Sequence, residues 1–169
     1  GVRYLFPIFK GGQAVHQLTV GVDYKRLERT EATFPGGLGT AVVLSPIQYT
    51  PASIGYSGTY PDSYGSTTFS TTVLGYVAGT IPGGTEKDFQ GDGTPENPGQ
   101  RPRSTGTFGV VKGSVSRMQP LPEGFLFSAR VDGQWATEPL IPAEQYFAGG
   151  LDTVRGYVQN QSLGDNAFL

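Results

Sequence analysis

Stretches of alternating apolar and polar residues recur along this sequence, and the gaps between them alternate between short and long without exception. The short gaps are KGGQA (about 10–14), PDSYGS (61–66) and PLPEG (120–124). The long ones run from about 31 to 46, from 82 to 106, and from 139 to about 163. Antiparallel transmembrane barrels have this rhythm, because tight turns close one end of every hairpin and extended loops the other. A β-sandwich has no reason to gather every long connection at one end. The expected fold is therefore all-β: a segment of an antiparallel transmembrane β-barrel, with about six strands and the start of another.

The strands themselves support this. In QLTVGVDYK (17–25), Leu18, Val20, Val22 and Tyr24 share one face, while Gln17, Thr19, Asp23 and Lys25 share the other. ASIGYSGTY (52–60) alternates in the same way, TTFSTTVLGYVAG (67–79) is β-rich with blurred alternation, and FGVVKGSVSRM (108–118) lies between them. The clearest strand is FLFSARVDGQWAT (125–137). Phe125, Phe127, Ala129, Val131 and Trp135 face one way, and Ser128, Arg130, Asp132 and Gln134 the other. The ten steps from Phe125 to Trp135, at about 3.3 Å each and tilted by about 40°, rise about 25 Å, the height of the lipid-facing band of an outer-membrane barrel. Soluble strands of about 5 or 6 residues are shorter.

Composition fits a chain that does not rely on a charged surface. Charged residues make up 15% of the 169 residues, against roughly 25% in soluble domains. A net charge of −2 gives no reason to expect nucleic acid as a partner. There is no cysteine, so neither disulfides nor thiolate metal sites are available. No apolar run reaches the 18 residues of a transmembrane helix. The sequence opens at Gly1 within an apparent strand and stops at Phe168-Leu169 as a new apolar run begins. The expectation is a partial barrel domain over 1–169, without upstream periplasmic domains or later strands. The stretch IPGGTEKDFQGDGTPENPGQRPRSTG (81–106), poor in apolar residues and rich in Gly and Pro, is expected to be a solvated, mobile surface loop.

Catalytic chemistry finds no support. His16 is the only histidine and sits beside an expected tight turn, where a polar turn residue is the simpler reading. The serine of GYSG (55–58) lies within a strand, not at the strand-to-helix turn of a nucleophile elbow. Asp88, Asp92 and Glu96 fit no calcium-loop spacing, and FPGGLG (34–39) and PGGT (82–85) lead into no helix that could cradle phosphate. No catalytic residue, metal or cofactor is expected. Arg130 and Asp132, on the polar face of their strand, are expected to project into a wet lumen. There they serve either as generic polar lining or as a wall that holds a plug or contacts passing polypeptide.

One stretch, QWATEPLIPAEQYFAGGLDTVRGY (134–157), carries a specific pattern: Gln134, Pro139-Leu140, Glu144-Gln145-Tyr146-Phe147, Gly149-Gly150 and Val154-Arg155-Gly156-Tyr157. It closely resembles the signature of two-partner secretion transporters, the haemolysin secretion and activation family of outer-membrane barrels. Gly164-Asp165 matches the point where the family's next strand begins, and VGVDYKR (20–26) and SRMQPLPEG (116–124) resemble family strand and turn segments. The resemblance implies a monomeric bacterial outer-membrane barrel in contact with lipid. Its function would be to export a large partner exoprotein through its pore, with no enzymatic step. It also implies that the loop folds back into the lumen and that Arg155 there pairs with an acid on a later strand, beyond Leu169; Asp152 is the competing local partner. A guanidinium offers five donors in a fixed fork, and a partly buried fork needs a carboxylate. The wider superfamily shares Gly-Gly and VRGY, so a barrel-assembly insertase is an alternative, and a soluble β-sandwich binding module is another.

Overall fold

The computed structural model describes residues 1–11, 14–33, 40–150, 158 and 162–169. In chain order the strands are β1 (Val2–Gly11), β2 (Ala14–Val22), β3 (Lys25–Leu27), β4 (Thr30–Thr33), β5 (Thr40–Leu44), β6 (Ile47–Tyr49), β7 (Ala52–Asp62) and β8 (Gly65–Tyr76). The helix α1 (Glu86–Gln90) follows, then β9 (Phe108–Pro120), β10 (Leu126–Ala136), β11 (Tyr146–Ala148), β12 (Ser162–Gly164) and β13 (Ala167–Phe168). Seven of these form one open sheet in the order β1-β2-β7-β8-β9-β10-β13, each antiparallel to its neighbour. Six long strands and the start of a seventh are what the sequence leads one to expect. The short connections all lie at one end of the sheet and the long ones at the other.

Register shows why these residues make this sheet. Tyr4, Val20, Ile54, Val73, Val111 and Trp135 stand opposite one another in one row across six strands, and every one of them is exposed. Four residues further along, Phe69, Val115 and Val131 form a parallel row on the same face. On the other face, Gln17, Ser57, Ser70, Ser114 and Asp132 align, as do Thr19, Gly55, Thr72, Lys112 and Gln134. Leu5 and Val15 are apolar exceptions on that polar face. A sandwich would bury its apolar rows against a second sheet, and none covers them among the described residues. Strands of 9 to 13 residues with an uncovered apolar face are the geometry of a wall between lipid and a polar lumen.

The buried core lies at the end with long connections. Ile47, Tyr49, Tyr76, Phe89, Phe108, Val110, Leu140 and Ile141 pack together there, with Tyr49 in edge contact with Tyr76, Phe89 and Phe108. The connection between β2 and β7 is an extended ribbon, in which β3 pairs with β6 and β4 with β5. The connection from β8 to β9 corrects the expectation of a solvated, mobile loop. It contains α1, where the Asp88 carboxylate accepts from the Thr85 amide (2.8 Å) and hydroxyl (2.6 Å). Phe89 and Ser104 within it are fully buried. A segment with few apolar residues is held in place because one of them, Phe89, enters a shared aromatic core. Asp92 in this segment has a structural partner as well, accepting from the Thr94 amide and hydroxyl.

His16 also departs from expectation. It lies within β2, not in a turn, and its Nδ1 is 2.8 Å from the Tyr56 hydroxyl, with its ring against Phe69.

Candidate functional site

The signature residues meet at the base of the β10–β13 connection. Gln134, near the end of β10 on the polar face, is buried, and its Nε2 donates to the main-chain oxygens of Glu144 (3.2 Å) and Asp165 (3.1 Å). It thereby ties the two legs of the connection to the barrel wall. Its Oε1 has no hydrogen-bond partner among the described residues.

Glu144 ends a short 3-10 turn, Pro142–Glu144, and is buried. Its carboxylate accepts from the Tyr49 hydroxyl (2.6 Å) and the Lys25 ammonium (2.5 Å). Lys25 and Tyr49 reach it together because β3 and β6 place them directly opposite each other. Burial, then the Glu144 charge, then the hydrogen bond to Glu144 all push the Tyr49 hydroxyl's pKa far up, so Tyr49 is the donor in this pair.

Asp165 is the second node. Its Oδ1 accepts from Gln145 Nε2 (2.9 Å), from the Leu140 amide (3.1 Å) and from Arg101 (2.5 Å). Arg101, from the β8–β9 connection, also donates to the Leu140 carbonyl (2.7 Å). Burial raises the Asp165 pKa, but the hydrogen bonds and the Arg101 charge outweigh it and leave the carboxyl below its ordinary range. Beside it, the Asn166 side chain accepts from the Ala136 amide (2.8 Å) and caps the end of β10.

These two nodes hold a stem. β11 pairs with β12 in the register Tyr146 to Gly164, Phe147 to Leu163 and Ala148 to Ser162. Gly164-Asp165 therefore closes the stem, and the barrel strand resumes only at Ala167. Gly149 and Gly150 leave the stem at φ of 111° and 107°, backbone that favours glycine. Val154, Arg155, Gly156 and Tyr157, and the competing acid Asp152, lie outside the described residues.

Arg130 and Asp132 sit on the polar face and pair with each other in a fork, Nε to Oδ2 at 2.7 Å and NH2 to Oδ1 at 2.9 Å. They lie close enough to the stem to act on the Tyr146 hydroxyl: burial raises its pKa, as does the Asp132 charge, against the Arg130 charge. Next to Glu144, Arg3, Asp23, Lys25, Lys112 and the hydroxyl rows line a concavity of about 460 Å³ on the polar face. Among the described residues no group of His, Asp or Glu could hold a metal ion, and no helix is long and apolar enough to cross a membrane.

The sequence singled out Gln134, Glu144, Gln145, Gly149 and Gly150; the structure brings Gln134, Glu144 and Gln145 together at this base and puts Gly149 and Gly150 at the far end of the stem. It also supplies three partners that sequence reasoning missed: Lys25, Tyr49 and Arg101. Their separations from Glu144 and Asp165 are 119, 95 and 64 residues, beyond the reach of any local pattern.

A match to known families settles the class. The family described as "Haemolysin secretion/activation protein ShlB/FhaC/HecB" matches residues 39–169. The chain belongs to this family. Membership makes the seven-stranded sheet a sector of a bacterial outer-membrane β-barrel of the two-partner secretion type. Among solved structures, CdiB from Escherichia coli shares the fold at a TM-score of 0.67 and 18% sequence identity. The match covers 97% of this chain and 27% of the CdiB chain, so the chain spans about a quarter of that relative's length. No curated protein matches the sequence. The family is one of transporters.

Proposed function

We propose that this chain is the loop-bearing sector of a barrel that exports a large exoprotein encoded with it, and that the β10–β13 connection is its moving part. The observation that carries the reading is the convergence of Gln134, Glu144, Gln145 and Asp165 on one stem. Four residues spread over 32 positions serve to fix where a loop tip begins, which is what a working loop needs. The stem stands by the Arg130–Asp132 pair on the lumen wall. On this reading the tip with Val154, Arg155, Gly156 and Tyr157 enters the pore, and Arg155 forks onto a carboxylate of a strand beyond residue 169. Export needs no catalytic residue in this sector: passage is through the lumen, and folding outside draws the exoprotein forward.

The test is Arg155→Ala in the full-length transporter, co-expressed with its exoprotein, measuring exoprotein in the medium and heat-modifiable folded barrel in the outer membrane. Release should fall at least tenfold while folded barrel persists. Undiminished release with folded barrel would remove the loop from the mechanism.

A further inference from the structure

The apolar face is thinly covered in the middle of the sheet. Gly113 and Gly133 stand opposite each other on that face, flanked by Thr71 on β8 and Phe168 on β13. Two missing side chains in register leave an apolar groove of about 370 Å³, walled by Phe69, Val115, Val131 and Phe168. It opens on the face that meets lipid, so it is continuous with the lipid interface.

Four residues along β9 from Gly113, on the same face and toward the short-turn end, stands Arg117. A cation on the lipid side of a barrel strand is costly unless it lies near the headgroups and is paired. Arg117 forks onto Asp62, NH1 to Oδ2 at 2.5 Å and NH2 to Oδ1 at 3.0 Å, and NH1 also donates to Thr67 Oγ1 at 3.0 Å. Those contacts use three of its five N–H donors. Asp62 Oδ1 additionally accepts from the amides of Tyr64 and Gly65, whereas among the described residues Oδ2 accepts only from Arg117. The pair thus keeps spare donors on the arginine and a spare acceptor on the aspartate, side by side.

We propose that this face holds one zwitterionic phospholipid of the periplasmic leaflet, its phosphate on Arg117, its primary ammonium on Asp62 and one acyl chain in the Gly113/Gly133 groove. The charges match pole for pole. Phosphatidylglycerol would satisfy Arg117 with its phosphate but would offer Asp62 no cation. The depths are compatible too: four residues along β9, at about 3.3 Å each and tilted by about 40°, descend about 10 Å, within one leaflet's share of about 15 Å of the hydrocarbon core. A chain hung from a headgroup at Arg117 therefore passes through the groove. The proposal rests on the barrel fold and not on export, so it can fail while the transport reading stands.

The experiment uses the full-length barrel, purified in mild detergent and stripped of lipid, then offered phosphatidylethanolamine or phosphatidylglycerol at equal concentration. Bound lipid is counted by native mass spectrometry. The parent protein should retain one phosphatidylethanolamine at least fivefold more often than phosphatidylglycerol. Arg117→Gln should lose that retention, and so should Gly113→Leu with Gly133→Leu, which fills the groove, with heat-modifiable migration confirming the fold in each case. Asp62→Asn should shift the preference toward phosphatidylglycerol. Equal retention of both lipids by the parent protein would mean unselective annular lipid and would overturn the proposal, even where a variant fails to insert. Unchanged retention in folded Arg117→Gln would overturn it as well.

Discussion

Glu144 and Lys25 form one ion pair, but solvent reaches them unequally: the lysine side chain is 34% exposed and the glutamate 2%. The two halves of the pair should therefore fail differently. In Lys25→Met the carboxylate stays buried with only the Tyr49 hydroxyl to satisfy it, and leaving a buried charge uncompensated costs about 3–5 kcal/mol. In Glu144→Gln the remaining ammonium can turn to water and the amide oxygen still accepts from Tyr49, so the cost should be about 1 kcal/mol, the scale of a single net hydrogen bond. The double variant should be more stable than Lys25→Met alone. Urea unfolding of the full-length barrel in detergent measures all three. Equal losses in the two single variants would mean that burial does not govern this pair.

At the scale of elements, the β11–β12 stem is short, and its attachment depends on Asp165. Because the folded-state pKa of Asp165 is depressed, its contribution is fully present above the unfolded value of about 3.9 and is lost as pH falls through the folded value below that. Protection of the β10–β13 connection, read by hydrogen exchange, should accordingly be flat from neutral pH down to about 4 and fall away as the pH drops below that. Asp165→Asn should show weak protection at neutral pH with no further acid step. The same cluster marks the limits of what a sequence displays. The long strands were legible because a wall between lipid and water must alternate with period two, and Gln134, Glu144, Gln145 and Asp165 were legible as a motif. Arg101 was hidden in a Gly- and Pro-rich segment that composition reads as solvated, since one buried Phe89 in such a segment leaves no periodicity. Lys25 and Tyr49 looked like ordinary strand residues, and only the pairing of β3 with β6 turns both toward Glu144.

At the scale of the sheet, adjacent residues on one strand can test which face meets lipid and which meets water. Ser114 and Val115 neighbour each other in the middle of β9. Ser114 lies in the hydroxyl row, where its Oγ is 2.9 Å from that of Ser70, while Val115 lies in the apolar row with half-buried Phe69 and exposed Val131. A lysine on the lipid face near the midplane costs about 2–4 kcal/mol, whereas one on the lumen face stays hydrated. Val115→Lys in the full-length protein should therefore lower the yield of heat-modifiable barrel in the outer membrane severalfold. Ser114→Lys should leave that yield unchanged and shift the pore toward anions in planar-bilayer recordings. The opposite ranking would invert the faces. It would place the hydroxyl rows, Lys112 and the concavity beside Glu144 in lipid, where so many polar groups could not be sustained. One substitution on each side of a single peptide bond thus tests the membrane orientation on which the loop and the lipid site both depend.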